Sequence, residues 1–295
     1  MRHWRRVPDR SSARRGSIRS SQFEPSEAQQ PSPRPRRDPR KAGDERTAAR
    51  RDSMRVAAYQ MPVKACYDNT AVEHLSARVR ECEHAGVSLL CCPEAALGGL
   101  VDYVDEPADI AISGEPGVLA AKLRPLASRS VTVIVGFTEC DDSGRYFNAA
   151  AVCSEGSLIG IYRKHHPAIR RSRYSPGADA TVFRVNGATI GILICRDSLD
   201  TRLAATLAHR GAQILCIPTN NAMPADRGGP QLVDEVRALD ARHATTLRVP
   251  VIRADVVGET HGLVSAGASI ITQRTSGQTC ASGSEDGELI VAELS

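Results

Sequence analysis

A carboxylate, an ammonium group and a thiol, each at the end of a short apolar run, are the side chains of this sequence best placed to do chemistry together. VSLLCC (87–92) runs into Pro93-Glu94, SLIGIYR (157–163) runs into Lys164, and ATIGILIC (188–195) ends on Cys195. Each run reads as a strand, and strand ends of α/β proteins carry reactive groups on a rigid frame. Singly they are ordinary. A cysteine closing an apolar strand is a common core thiol, a lysine after a strand is commonly solvated, and a glutamate after a proline commonly serves a helix N-terminus. Together they form a chemical set. A thiol is mostly protonated at neutral pH and attacks as the thiolate. A carboxylate beside it accepts that proton, and a nearby ammonium favours the anion and stabilises an oxyanion. The resulting carboxylic acid then protonates a leaving nitrogen and afterwards activates water. Cleavage of a carbon–nitrogen bond is the chemistry this set suits, with Cys195 as nucleophile and Glu94 as proton carrier.

The surrounding sequence must bring three distant strand ends together, and its texture suits that task. RVAAYQM (55–61) reads as a strand, and residues 69–85 read as an amphipathic helix with Val72, Leu75, Val79 and Cys82 on one face. A helix is expected over 116–129, then strands over 131–137, 147–153, 157–163, 181–185 and 188–195. Helices over 199–209 and 231–247 flank a strand over 212–218, and VPVIRADVV (249–257) reads as one strand before ASIIT (268–272) and ELIVAEL (288–294). Hairpin-like succession through 131–195 implies antiparallel pairing, since parallel neighbours need a longer crossover. An α/β fold with a mixed sheet under helices, or two such layers packed together, is expected.

Charge divides the chain. Residues 1–53 carry fifteen Lys/Arg and seven Asp/Glu, so the formal net charge of +4 becomes −4 over residues 54–295. The first segment is rich in Arg, Ser and Pro and is expected to be a disordered basic extension. With almost no interleaved aromatics it makes a poor nucleic-acid surface. Residues 54–295 read as one catalytic domain. Nine cysteines without CxxC spacing signal neither a disulfide framework nor a zinc site, and they suit a reducing cytoplasm. No run of eighteen apolar residues is present, so no membrane span is expected. Cys91 and Cys92 are strand neighbours that face opposite ways and cannot chelate one metal.

These motifs, in this order, resemble the nitrilase superfamily of carbon–nitrogen hydrolases from Met54 to about Leu294. GVSLLCCPEAALGG (86–99) resembles its Glu motif, IGIYRKHHP (159–167) its Lys motif and IGILICRDS (190–198) its Cys motif. Gln60, the Asn148 strand, YSPG (174–177) and the closing stretch 249–269 agree. The resemblance implies a four-layer α-β-β-α sandwich with mixed sheets, paired as a homodimer or higher homo-oligomer, and no metal or organic cofactor. It also implies a thioester or thioimidate intermediate on Cys195, with Glu94 as base and acid, and Lys164 and the backbone N–H of Arg196 at the oxyanion.

Two positions depart from the pattern. Many members carry a second glutamate between the Lys motif and the PG turn, whereas this loop has no acid before Asp179 and holds Arg170, Arg171 and Arg173. It reads as an arginine-lined mouth for an anionic substrate, as a solvent-facing or partner-facing surface, or as a sign of impaired catalysis. After Cys195 stands Arg196-Asp197, whose Asp is shared with amidases rather than nitrilases. Arg171, Tyr174, Asn220 and Asn221 are the expected substrate contacts, with a turn role as the alternative for the asparagines. The substrate is accordingly read as the amide of a small molecule, with an organic nitrile or a binding-only homologue as alternatives.

Overall fold

A computed structural model describes residues 53–64, 68, 70–227, 229–260, 262–274, 279–282 and 287–294. The extension read over residues 1–53 lies, apart from Ser53, outside them. In chain order the elements are β1 (Met54–Pro62), α1 (Ala71–His84), β2 (Leu89–Cys91), β3 (Ile112–Ser113), α2 (Pro116–Leu123), β4 (Thr132–Cys140), β5 (Tyr146–Ser154) and β6 (Ser157–Arg163). There follow β7 (Val182–Val185), β8 (Ala188–Ile192), α3 (Thr201–His209), β9 (Ile214–Pro218), β10 (Met223–Pro224) and α4 (Pro230–Leu247). The chain closes with β11 (Val251–Ala254), β12 (Val256–Thr260), β13 (Leu263–Ala266), β14 (Ile270–Thr272), β15 (Thr279–Ser282) and β16 (Glu288–Leu294).

Two mixed sheets form. The larger runs β10-β13-β12-β1-β2-β4-β5-β6, with β16 also on β1 and β3 on β4; the smaller runs β15-β14-β11-β9-β8-β7. Residue alternation sorts side chains into three cores. Val56, Ala58, Leu89, Cys91 and Ile134 of the larger sheet meet Ile190, Ile192, Cys216 and Ile252 of the smaller one. The other face of the larger sheet, with Ala57, Leu90, Cys92 and Val133, packs under Leu75 and Val79 of α1 and Leu119 and Leu123 of α2. Leu215, Ile217 and Val251 of the smaller sheet pack under Leu203 and Leu207 of α3 and Ala244 of α4. The layers are thus α-β-β-α, as the resemblance implies, and Cys91 and Cys92 enter different cores.

Local chemistry sets the element ends. The Glu115 carboxylate accepts from the N–H groups of Gly117 and Val118, with Pro116 at the first helical position of α2. That helix ends at Leu123 rather than at 129, because Pro125 cannot continue it and a 3-10 turn follows. Asp200 caps α3 through Arg202 and Leu203, so α3 starts two residues later than expected. Two strand assignments need correction. The run 188–195 stays extended only to Ile192, and a turn beginning at Cys195 takes over. The run 249–257 is two strands, β11 in the smaller sheet and β12 in the larger, broken at Asp255. A buried carboxylate needs hydrogen bonds, and Asp255 takes four: from Asn221 N and Nδ2, Val256 N and Ala268 N. Those bonds hold the chain at the point where it changes sheets.

Cys82, Cys91, Cys92, Cys140, Cys153, Cys195 and Cys216 are free thiols; among the described residues no group of three potential ligands could hold a metal, and no helix is long and apolar enough to cross a membrane.

Candidate active site

Glu94, Lys164 and Cys195 line one cavity of about 460 Å³. Glu94 and Lys164 belong to the larger sheet, following β2 and β6, while Cys195 follows β8 of the smaller. The cavity therefore opens where the two sheets meet.

The turn bearing Glu94 sits against the backbone of β4. Gly136 N–H donates to Pro93 O, and Leu97 N–H donates to Gly136 O. A Cβ at Gly136 would collide with Pro93 O, Ala95 N and Glu94 Cα, so only glycine permits this approach. Ala95, next to the carboxylate, has φ +49°. Glu94 itself is 2% exposed and fully engaged. Its Oε1 accepts from Lys164 Nζ at 2.5 Å and Asn148 Nδ2 at 2.7 Å, and its Oε2 from Asn220 N–H at 3.0 Å.

Lys164 is fixed at its backbone as well: its N–H donates to Asn148 O and its carbonyl accepts from Gly177 N–H. Gly177 has no room for a side chain because Arg163 O would touch its Cβ. Burial works to discharge the Lys164 ammonium, but the charge and hydrogen bond of Glu94, helped by Cys195 and Asp197, hold its pKa above the ordinary value. Lys164 therefore keeps its charge.

Cys195 opens a tight turn with φ +46°, a left-handed conformation that costs a non-glycine residue about 1 kcal/mol or more. Three groups hold it there. Asp197 accepts from Ile194 N–H at 3.1 Å, Ser198 Oγ donates to Cys195 O at 2.7 Å, and buried Arg253 donates to Ser198 Oγ at 3.2 Å. Arg253 is held by a two-point ion pair with Asp240, at 2.7 Å each. Asp197 also joins the Cys turn to the Lys loop, accepting from Tyr162 Oη at 2.9 Å and from the N–H groups of His165 and His166. Burial raises the Asp197 carboxyl above its usual value, against those hydrogen bonds. Burial, then the charge of Glu94, pushes the Cys195 thiol up to about 12, with Lys164 and Arg253 pulling the other way. At rest the sulfur is a thiol. Sγ lies 3.8 Å from Asn221 Oδ1.

The other expected contacts fare differently. Tyr174 lines the cavity, but its hydroxyl is committed to Thr138 Oγ1 at 2.6 Å and accepts from Val101 N–H. Asn220 lines it too; its Oδ1 makes a turn with Ala222 N–H, while its buried Nδ2 has no partner. Asn221 lies behind, bound to Asp255. The side chain of Arg196 is exposed. Arg171, exposed like Arg170 and Arg227, differs from them in not lining the cavity. Arg173 is turned back onto the carbonyls of Val104 and Asp105, leaving Arg170 as the one arginine of that loop at the cavity. Arg227 joins it from beyond β10. Asn148 was visible only as a landmark of its strand, and nothing in the sequence set apart Asp255 or Arg227.

A model of the family described as "Carbon-nitrogen hydrolase" matches residues 55–295. A nitrilase of Pyrococcus abyssi is 29% identical over 220 residues, covering 73% of this chain and 80% of that protein. An (R)-stereoselective amidase of a Pseudomonas species is 32% identical over 141 residues, 46% of this chain and 49% of the other. Glutamine-dependent NAD(+) synthetases of Xylella fastidiosa are 29% identical over 230 residues, and this chain spans 39% of their length. The fold is that of a carbon–nitrogen hydrolase from Helicobacter pylori, with TM-score 0.69, 20% identity, and 82% of this chain and 89% of that one covered. The chain belongs to the carbon–nitrogen hydrolase family.

Proposed function

We propose that residues 54–295 form a hydrolase domain that cleaves the amide of a small molecule through a thioester on Cys195. One observation carries this reading: a buried carboxylate, gripped by Lys164, Asn148 and a backbone N–H, lines the same cavity as a thiol that is protonated at rest. A resting thiol needs a base at the moment of attack, and Glu94 is the carboxylate facing the cavity that can serve. Sulfur adds to the amide carbon as its proton passes to Glu94. The carbonyl oxygen becomes an oxyanion beside the Lys164 ammonium and the N–H of Arg196. Collapse breaks the carbon–nitrogen bond while Glu94 returns the proton to nitrogen, and ammonia or an amine leaves. Water then gives its proton to Glu94 and its oxygen to the thioester, and the carboxylic acid departs as the thiol re-forms. The unpartnered Asn220 Nδ2 supports a role in binding the amide group. The superfamily's habit of pairing subunits supports a homodimer, which light scattering measures.

The test is an ammonia-release screen over amides, carbamoyl compounds and nitriles, run beside Cys195→Ala. Amide turnover that vanishes in the variant is expected. Turnover of nitriles alone transfers the assignment to the nitrile reaction, and a variant that keeps its activity removes Cys195 as nucleophile. No turnover, with no alkylation of Cys195, makes the chain a binding homologue.

A further inference from the structure

Charges lining the cavity are mostly spoken for. Lys164 and Glu94 neutralise one another. Both oxygens of Asp102 are occupied, Oδ2 by Ser172 Oγ at 2.7 Å and Oδ1 by Arg173 N–H at 2.8 Å. Two charged groups remain: the guanidinium groups of Arg170 and Arg227, which make no ion pair among the described residues although both line the cavity. Asp226, the neighbour of Arg227 in sequence, makes no pair with it. These arginines come from separate segments, one from the loop after Lys164 and one from the turn after β10. The wall around them is apolar, with Leu100, Pro167, Ile169, Met223 and Pro224. Arg173 and Arg163, by contrast, are tied to Val104 and Asp105 and to Glu139. A planar guanidinium is suited to a carboxylate, which it can grip with two parallel hydrogen bonds.

We infer that the cavity takes amides carrying a carboxylate at the end remote from the scissile bond, with Arg170 and Arg227 as the groups that select it. The inference rests on the amide-hydrolase reading and supplies its substrate class. The apolar wall receives the methylene chain between amide and carboxylate, and an ammonium at the carboxylate position is repelled. Arg170 and Arg227 are assigned to binding and not to bond cleavage, so their effect falls on KM more than on kcat.

The experiment compares the monoamide of glutaric acid with pentanamide, which has a methyl group where the monoamide has its carboxylate, and with 5-aminopentanamide. The monoamides of succinic and adipic acids cover a mismatch in length. Calorimetric titration of the Cys195→Ala protein reads binding without turnover. The best monoamide is expected to bind about tenfold to a hundredfold more tightly than pentanamide, the range of a charge-assisted hydrogen bond. That advantage shrinks as salt screens it, and the ammonium compound binds most weakly. In the Arg170→Gln/Arg227→Gln protein the ratio of the two affinities falls to within about threefold of one. Equal or tighter binding of pentanamide by the Cys195→Ala protein overturns the inference, as does a ratio that survives loss of both arginines. Inorganic phosphate that binds more tightly than every monoamide overturns the carboxylate assignment in favour of a phosphorylated substrate. Ammonia release by the unmutated protein is measured on the same compounds. Its loss on every amide counts against the hydrolase reading, whereas turnover of pentanamide without a carboxylate preference counts against this inference alone.

Discussion

Replacing Lys164 by Met leaves the carboxylate of Glu94 buried at 2% exposure with two hydrogen-bond donors and no counter-charge. At the observed 2.5 Å separation the two charges attract by about 7 kcal/mol for an effective dielectric constant of about 20. Desolvation costs several kcal/mol for each ion, so the intact pair is close to neutral for stability. Removing one partner is different, because the penalty of the other remains; about 3–5 kcal/mol should be lost. Glu94→Gln should behave similarly, since the amide must then set its NH2 either against Lys164 Nζ and Asn148 Nδ2 or against the Asn220 N–H, and Lys164 loses its counter-charge. The double variant Glu94→Gln/Lys164→Met holds no stranded ion and should lose clearly less than the sum of the two single losses, by about 2 kcal/mol or more. Urea denaturation followed by circular dichroism gives all four free energies, with a constant slope as the check that unfolding stays two-state. Additivity within about 0.5 kcal/mol would refute the argument. It would mean that each residue is held independently and that the ammonium does not carry the burial of the carboxylate.

Gly136→Ala places a methyl group against the backbone of the Glu94 turn, so a loss of about 1–3 kcal/mol together with loss of turnover is expected; wild-type turnover would show that the turn can shift without consequence. Burial pushes the thiols of Cys82, Cys153 and Cys195 to about 12, about 11 and about 12, from an ordinary value of 9.0. Because these folded-state values are raised, the unfolded chain releases protons first, and stability present below pH 9 falls as pH climbs toward 11. Denaturation midpoints measured across that window test the sign, and a flat profile refutes it. The same shift predicts that alkylation of Cys195, followed on its own peptide by mass spectrometry, accelerates through pH 7–9 without a plateau; a plateau near pH 8 would mean a thiol of ordinary acidity. Tyr162→Phe removes one donor from Asp197 and should cost about 1–2 kcal/mol, read by thermal denaturation, with kcat lowered because the Lys loop and the Cys turn lose a shared anchor. No change in either quantity would dismiss Asp197 as a tie.

The sequence made the layers and the three strand-end residues legible because both follow from patterns that water enforces. Continuous apolar runs on β1, β5 and β9, buried on both faces, leave few other ways to hide them, and Glu94, Lys164 and Cys195 stand where runs of this kind stop. Closer detail escaped for physical reasons. Leu193 and Ile194 continue the apolar pattern of β8 right up to the turn that opens at Cys195, so the sequence does not mark where regular pairing stops. Asp255 interrupts VPVIRADVV by a single residue, and its power to break the strand depends on four donors, three of them from Asn221 and Ala268, elsewhere in the chain. Arg170 and Arg171 are chemically identical neighbours. Which one faces the cavity depends on the path of the loop, fixed in part by Asp102 through Ser172 and Arg173.

The crossing at Asp255 has a consequence for how the protein loses activity. Glu94 and Lys164 ride on one sheet and Cys195 on the other, so the distance between base and nucleophile is a measure of how the two sheets are seated. The strand that passes from one sheet to the other at Asp255 is the stitch that sets that seating. Trimming the inner core at Ile134 or Ile252, neither of which lines the cavity, slackens the same joint. Small losses of packing there should therefore appear as slower turnover before they appear as a lower melting temperature, and the inter-sheet core acts as the calibration screw of the site as well as ballast for the fold.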